Sequence, residues 1–487
     1  MTTTPESIKP ESTATPRNGA SGKLLIAALM AIEVFAVFET SMAFAAVPTF
    51  IREFQVDTAT VGWTATSYLL VGAAVAATAG RLGDIFGRRR ILVIVLIIAV
   101  FGSLVSSLAP SLFVIIIGRG LQGFAAGALP LTFGIIREKL EPRMVPIAMA
   151  LTAGLVPICA GLGAFVAGIL IDNSGWRAMF IAATILGVVA VAVARFLVPQ
   201  SKGLTPRPRI DVLGGVLLVP ASVGLLYGAT ASRAAGWGSP VVIVSLLIGV
   251  ISLAIWIWWE RRTPEPMVNL DLFRNRKVVL ATLATVAIGM GPMGSITLIG
   301  PLLLQLPKEA PIGLGLSVTA AGVISLIQSF VSFFAAIAAG RVARSFGARW
   351  SLIIGAACGV VGVTIWMFLN KDLAGSTIAS ALVGASSGFA ISALPILVVE
   401  AVPPANTAEA TGVNRVTLNM AVAFGLAFVS LILASSTVPG TTLPTLEAAN
   451  SALLFVIVVS LIGLVLGLMI KRGAVLTADA ERQDTHR

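Results

Sequence analysis

Three ionisable side chains lie deep inside long apolar segments of the sequence: Glu33, Glu39 and Arg119. A charged group at the centre of a lipid-spanning helix costs about 2.5 kcal/mol or more, so each one marks a candidate functional site. The only histidine is His486, close to the C-terminus, and imidazole chemistry inside the apolar segments is therefore excluded. Proton binding there would have to use the two glutamates.

Glu39 and Arg119 are predicted to lie at a similar depth. With a helical rise of 1.5 Å per residue, Glu39 lies roughly 13 Å along its helix from Pro48, and Arg119 lies roughly 11 Å along its helix from Leu112. Pro48 and Leu112 are predicted to lie at the same face of the membrane. Pairing would offset much of their desolvation cost, and protonation of Glu39 would release Arg119. The alternative interpretation is that both groups only hold helices together.

Glu33 is predicted to face a different direction from Glu39. Six residues separate them, which places Glu33 about 120° around the helix and roughly 9 Å closer to the N-terminal end. We expect Glu33 either to form hydrogen bonds within the N-terminal half or to line a cavity and attract a cationic substrate.

The elements that carry these residues are apolar helices. Of the 487 residues, 57% are hydrophobic and only 11% are charged, whereas soluble proteins are about 25% charged. Apolar stretches of about 20 residues, each long enough to cross a bilayer, recur along the chain. The sequence therefore predicts an all-α polytopic membrane protein with about 14 transmembrane helices, at residues 24–48, 61–79, 91–109, 112–135, 146–170, 178–198, 212–231, 241–259, 278–304, 318–339, 351–369, 376–400, 412–435 and 451–470.

The basic residues indicate the orientation of these helices. Of the 33 Lys and Arg residues, 27 fall on the side of the two termini, 5 on the opposite side and Arg119 within a span. Because cytoplasmic loops carry the excess of Lys and Arg, both termini are predicted to be cytoplasmic. We expect a multi-pass protein of the cell membrane, such as the bacterial inner membrane.

An internal repeat divides the chain. The segment GRLGDIFGRRR (80–90) recurs as GRVARSFGARW (340–350), with five identities at an offset of 260 residues. This spacing predicts two pseudo-symmetric six-helix bundles joined by two inserted helices, with a substrate site near the midplane where the bundles meet. The predicted divisions are a disordered cytoplasmic N-terminus (1–22), an N-terminal bundle (23–200), linker helices and flanking loops (201–277), a C-terminal bundle (278–472) and a cytoplasmic tail (473–487).

The first copy of the repeat is a candidate gating loop. Its glycines permit a tight turn, and Asp84 could bond main-chain amides at a helix N-terminus or pair with Arg81. Loss of the Asp84 contacts would loosen one conformation relative to another, although the arginines on their own are explained by topology. The residues assigned to the gate are Gly80, Arg81, Asp84, Gly87 and Arg88.

Small and polar residues mark two further features. Glycines of the fifth predicted helix leave little side-chain bulk and favour close packing against a neighbour, with Gly161, Gly163 and Gly168 as the candidates. Four polar residues of the second half could reach the cavity or form ordinary interhelical hydrogen bonds: Gln305, Gln328, Asn414 and Asn419.

These motifs resemble those of the major facilitator superfamily. The loop at 80–90 is similar to the family's cytoplasmic signature, and the 6+2+6 layout resembles its fourteen-helix drug:proton antiporter branch. ETSMAFAAVP (39–48) resembles the first-helix motif of that branch, with Glu39 where the family usually carries Asp. GRGLQG (118–123) resembles the fourth-helix motif, which implies a role for Gln122 beside Arg119.

Two departures from the family pattern are visible. In GLGAFVAG (161–168), Ala164 and Ala167 stand where antiporters of this family carry Pro and Gly, which leaves the direction of transport open. In the second loop, Arg344 stands where the first has Asp84.

The remaining function classes find little support. There is no phosphate-binding loop, no metal-ligand cluster and no nucleophile with a base, so we expect no enzyme, cofactor or metal, and no nucleic-acid partner. A channel is less compatible with the two-fold repeat than alternating access is. The first hypothesis is a monomeric transporter that couples protons to the efflux of hydrophobic or amphiphilic compounds across the bilayer. The alternative is proton-coupled uptake of a small organic, aromatic acid.

Overall fold

The computed structural model describes residues 20–141, 143–201, 239–263, 275–401, 407–439 and 441–470, with scattered residues between 214 and 238. In this part of the chain the regular elements are helices. The N-terminal half contains α1 (Ala20–Ala45), α2 (Val47–Phe54), α3 (Thr58–Phe86), α4 (Arg88–Ser107), α5 (Leu112–Gln122), α6 (Ala128–Lys139), α7 (Val145–Ser174) and α8 (Trp176–Phe196). After the linker helix α9 (Pro240–Glu260), the C-terminal half contains α10 (Arg276–Ile288), α11 (Ile296–Gln305), α12 (Val318–Phe346), α13 (Ala348–Leu369), α14 (Leu373–Val399), α15 (Thr407–Ser435) and α16 (Leu446–Met469).

The predicted membrane spans agree closely with these helices. Among the described residues, 13 helical segments are long and apolar enough to cross a membrane, and each overlaps one predicted span. Half of the residues of the predicted span at 212–231 fall outside the described residues, as do nearly all of the predicted N-terminus (1–22) and the whole tail (473–487). The all-α fold class is confirmed.

The internal repeat is present in three dimensions. Helices α3 and α12 are both 29 residues long and start and end at an offset of 260. Asp57 accepts from the Thr60 amide before α3, and Ser317 accepts from the Ala320 amide before α12, so the caps also correspond. Gly87 and Gly347 end the two helices with φ near +94°, a conformation that glycine adopts without steric cost.

Two crossings are broken near their middle. A 3₁₀ segment, Gly123–Gly127, joins α5 to α6, and a π segment, Gly289–Ser295, joins α10 to α11. Such irregular turns leave main-chain groups that neighbouring helices must satisfy. Ser295 does so by donating to the carbonyls of Met290 (2.5 Å) and Gly425 (3.2 Å).

The largest apolar cluster joins the two halves. It includes Phe50 and Trp176 of the N-terminal half with Leu302 and Trp366 of the C-terminal half. These residues lie toward the end of the molecule that is remote from the two repeat loops. We call this the sealed end, and the end with the segments 80–90 and 340–350 the loop end.

Candidate functional site

A buried polar cluster lies inside the N-terminal half. Glu39 of α1 and Arg119 of α5 are both fully buried. The guanidinium donates through Nη1 to the Glu39 main-chain oxygen (2.6 Å) and to Gln122 Oε1 (2.7 Å), and through Nε to the Thr64 carbonyl (3.1 Å). Its nearest approach to the Glu39 carboxylate is 3.9 Å, from Nη1 to Oε2. Arg119 is thus held mainly by main-chain oxygens.

Ser103 of α4 completes the cluster. Its hydroxyl donates to Glu39 Oε1 and accepts from Gln122 Nε2 at 3.0 Å. Glu39, Ser103, Gln122 and Arg119 therefore form a closed ring of contacts across three helices. The Tyr68 ring lies 4.5 Å from the guanidinium carbon and covers it.

Two atoms of the cluster remain without hydrogen-bond partners among the described residues: Glu39 Oε2 and Arg119 Nη2. A buried polar atom without a partner costs about 1–3 kcal/mol, so such atoms call for a functional explanation. Glu39 Oε2 is an oxygen at which the side chain can take up a proton without breaking an existing bond.

Sequence reasoning predicted that Glu39 and Arg119 share a depth, and the structure brings them together. It missed Ser103, Thr64 and Tyr68, which hold them in place. Tyr68 is one of only two tyrosines in the chain, and this rarity in an apolar segment was a usable signal. Ser103 lies in a span that has several serines, so nothing in the sequence distinguished it from the others.

Glu33 occupies a separate site. It is 2% exposed, and the Thr132 hydroxyl of α6 and the charge of Arg415 of α15 lie close enough to act on its carboxylate. The sequence count treated Arg415 as a cytoplasmic loop residue, but Arg415 lies within α15 and faces the opposite half.

The candidate gating loop is held by Arg88. This side chain bonds Asp84 (Nε to Oδ1, 2.8 Å), the Gly134 carbonyl (2.8 Å) and Glu138 (3.2 Å), and so connects the loop to α6. The Arg81 side chain lies outside the described residues. The Asp84 partner that the structure shows is thus Arg88, which was assigned to the gate, whereas the sequence suggested Arg81 or main-chain amides as the partners of Asp84.

A cavity of about 210 Å³ lies between the two halves. Of the four polar candidates, Gln305 and Gln328 line it, whereas Asn414 and Asn419 do not. Asn414 instead accepts a hydrogen bond from Thr285 (2.7 Å) inside the C-terminal half, and Asn419 is half-buried on α15.

Gly80, the first residue of the gating loop, packs loosely, since an added Cβ would be 4.0 Å from Pro130.

The glycines of α7 allow close contact with two helices. A Cβ at Gly161 would lie 2.6 Å from the Ser329 hydroxyl, and one at Gly168 would lie 2.7 Å from the Val318 carbonyl, both on α12. Gly163 faces Ser41 of α1 with no room for a side chain. The two halves therefore pack closely along α7 and α12, because Gly161 and Gly168 have no side chains that would separate the helices.

Three sets of hydrogen bonds cross between the halves at the sealed end. Asp172 of α7 accepts from the amides of Val318 (3.2 Å) and Thr319 (2.8 Å) at the N-terminus of α12. Gln305 Nε2 donates to the Ala45 carbonyl (3.1 Å). The Thr58 hydroxyl donates to the carbonyl of Ser430 (3.3 Å).

Two helical halves related by an internal repeat, with a cavity between them and a buried acid–arginine cluster, define a transporter of the two-bundle class. A family model described as Major Facilitator Superfamily matches residues 29–311 and 293–485. The chain belongs to this superfamily and is a multi-pass membrane protein.

Named relatives and solved structures agree with this assignment. The chain is 29% identical over 301 residues to the "Multidrug resistance protein B homolog" of Mycobacterium tuberculosis (strain CDC 1551 / Oshkosh), covering 60% of this chain and 55% of that protein. It is 26% identical over 427 residues to the "Multidrug efflux pump LfrA" of Mycolicibacterium smegmatis, covering 87% and 82%. The fold matches the xylose transporter XylE from E. coli in a partially occluded inward-open conformation, with a TM-score of 0.61, 12% identity and coverage of 93% and 99%.

Proposed function

We propose that this chain is a proton-coupled exporter of hydrophobic or amphiphilic small molecules that works by alternating access. The observation that carries the proposal is the buried Glu39 carboxylate, which has one oxygen bound by Ser103 and the other free beside Arg119. The relatives named for multidrug resistance and efflux support export.

Coupling follows from the position of Glu39 on α1. Ser41, two residues further along the helix, lines the cavity between the halves, while Glu39 faces the polar cluster. A proton on Glu39 removes the charge that faces Arg119 and weakens the contacts of α1 with α4 and α5. The helix that carries the proton site is thus also a wall of the substrate cavity.

The contacts between the halves support an inward-facing state. The hydrogen bonds between the halves in the described residues lie at the sealed end. With the termini and the loop end in the cytoplasm, as the charge distribution indicates, the cavity opens toward the cytoplasm. We further propose a monomer in the bacterial inner membrane.

The gating role of the 80–90 loop rests on Asp84 and Arg88. Their pairing, together with the bond from Arg88 to the Gly134 carbonyl, ties the end of α3 to α6 at the loop end. Uptake of a small organic acid is the weaker candidate, because no cationic side chain occurs among the described residues that line the cavity.

Transport in oriented vesicles tests the proposal. Fluorescent apolar compounds are added outside inverted and right-side-out membrane vesicles, and a pH gradient with either an acidic interior or an acidic exterior is imposed. Export predicts accumulation in inverted vesicles with an acidic interior, and its collapse when an ionophore dissipates the gradient. Accumulation only in right-side-out vesicles with an acidic exterior would contradict export and support uptake.

A further inference from the structure

The cavity between the halves contains no ionisable group among the described residues that line it. The nearest acid along α1, Glu39, is fully buried in the separate polar cluster and is not part of the lining. A permanently charged ligand would therefore lose its hydration without meeting an opposite charge, which costs several kcal/mol or more. The cavity chemistry favours a neutral ligand.

Two buried polar atoms of the lining have no hydrogen-bond partner within the described residues: Gln305 Oε1 and Trp366 Nε1. Their side chains are 6% and 1% exposed. The orientation of the Gln305 amide is fixed, because Nε2 donates to the Ala45 carbonyl, which can only accept. Gln305 therefore has an unused acceptor and Trp366 an unused donor beside the cavity, and because neither atom has exposed surface in this state, a ligand reaches them only after a shift of the side chain.

The serine hydroxyls of the lining add acceptors. Ser325 donates to the Ala321 carbonyl (3.1 Å), and Ser380 donates to the Ser376 carbonyl (2.8 Å). The proton of each hydroxyl is therefore already used in a hydrogen bond within its own helix. Their remaining lone pairs can only accept hydrogen bonds from a ligand. The wall thus presents these acceptors, the indole N–H of Trp366 and the amide of Gln328, which can both donate and accept, against an apolar background.

We propose that this cavity selects neutral molecules that combine an apolar or aromatic body with hydroxyl or amide groups. It discriminates against permanent cations and carboxylates. Ligand oxygens accept from the Gln328 amide and, after a shift of the indole, from Trp366 Nε1, and ligand donors bind the serine oxygens and the Gln305 amide oxygen. This assignment of a substrate class rests on the proposed export function.

Equilibrium binding of three matched probes tests the assignment. The probes are dansyl sulfonamides with a hydroxyethyl, a trimethylammonioethyl or a carboxymethyl tail, and binding to the purified full chain in detergent is followed by fluorescence anisotropy. The hydroxyethyl probe is expected to bind at least tenfold more tightly than either charged probe. Equal or tighter binding of a charged probe, or no binding of the hydroxyethyl probe, would overturn the proposal.

Variants locate the contact. Trp366→Phe keeps an aromatic ring but removes the donor, and it is expected to weaken hydroxyethyl-probe binding about fivefold, as the loss of one hydrogen bond predicts. Trp350→Phe, at the other end of α13, is the matched control and should leave binding unchanged. Gln328→Glu places a carboxylate in the lining and should improve binding of the trimethylammonium probe.

Unchanged affinity in Trp366→Phe, or no gain for the cation in Gln328→Glu, would contradict the assignment. These measurements use no pH gradient, so their failure is distinct from a failure of export. Loss of gradient-driven transport with intact selectivity would refute only the proposed function.

Discussion

At the residue scale, the hydroxyl of Ser103 links the Glu39 carboxylate to the Gln122 amide. A donor to a carboxylate stabilises the charged form, so its removal favours the protonated form. In Ser103→Ala we expect the pH at half-maximal transport to rise by about one unit, since a hydrogen bond to a charged group contributes about 1.5 kcal/mol. The measurement is transport in inverted vesicles between pH 5 and 9. A profile identical to wild type would show that Ser103 does not tune Glu39.

Arg119 is held by its geometry as much as by its charge. Lysine retains the charge but cannot reach the Thr64 carbonyl, the Glu39 carbonyl and Gln122 together. Arg119→Lys is expected to reduce transport at least tenfold and to lower the thermal unfolding temperature in detergent. Arg90→Lys, at an exposed position, is the control and should change neither. Wild-type transport in Arg119→Lys would mean that charge alone is sufficient.

Depth and residue type were enough to predict that Glu39 and Arg119 meet. They could not predict that the guanidinium binds the main chain of Glu39, because the rotation of one helix against another depends on packing that a single sequence does not display. Arg415 shows the same limit. A basic residue near a span end fits a loop equally well, and only the fold shows that it faces Glu33.

At the element scale, the contacts of Arg88 tie the end of α3 to α6. Asp84→Asn removes the charge that pairs with Arg88 and is expected to reduce transport at least fivefold, while expression and unfolding temperature stay close to wild type. Arg90→Gln lies in the same loop, is exposed and serves as the control. Full transport by the Asn variant would leave the loop with a topological role alone.

The carboxylate of Asp172 joins α7 to the N-terminus of α12 at the sealed end. Asp172→Asn weakens this charge-assisted contact by about 1.5 kcal/mol and should shift the conformational equilibrium about tenfold toward the outward-open state. Spin labels at positions 52 and 308, one on each half, would report a longer distance in double electron–electron resonance. Asp372→Asn, a cap within the C-terminal half alone, is the matched control. An unchanged distance distribution in Asp172→Asn would rule out a role in the seal.

The helices themselves were predictable because hydrophobic length is a strong signal in a lipid-spanning chain. The breaks at Gly123–Gly127 and Gly289–Ser295 were not, although Pro292 marks the second. Such breaks depend on partners far along the chain, as the bond from Ser295 to the Gly425 carbonyl shows.

At the scale of the whole molecule, the repeat at an offset of 260 residues predicted two related halves, and the matching caps and glycines of α3 and α12 bear this out. The sequence did not indicate which end of the cavity is closed. An alternating-access protein visits both states with one sequence, so its state depends on small differences in contacts between the halves.

Proton coupling through Glu39 is tested by substrate-driven proton movement in proteoliposomes. A compound identified by the vesicle panel is applied as a gradient with no imposed pH difference, and an enclosed pH-sensitive dye reports proton flux. Wild type and Glu39→Asp should move protons opposite to the compound. Glu39→Gln, which mimics the protonated side chain, should pass the compound by exchange with no proton flux. Substrate-driven proton flux in Glu39→Gln equal to that of wild type would show that Glu39 does not carry the coupled proton.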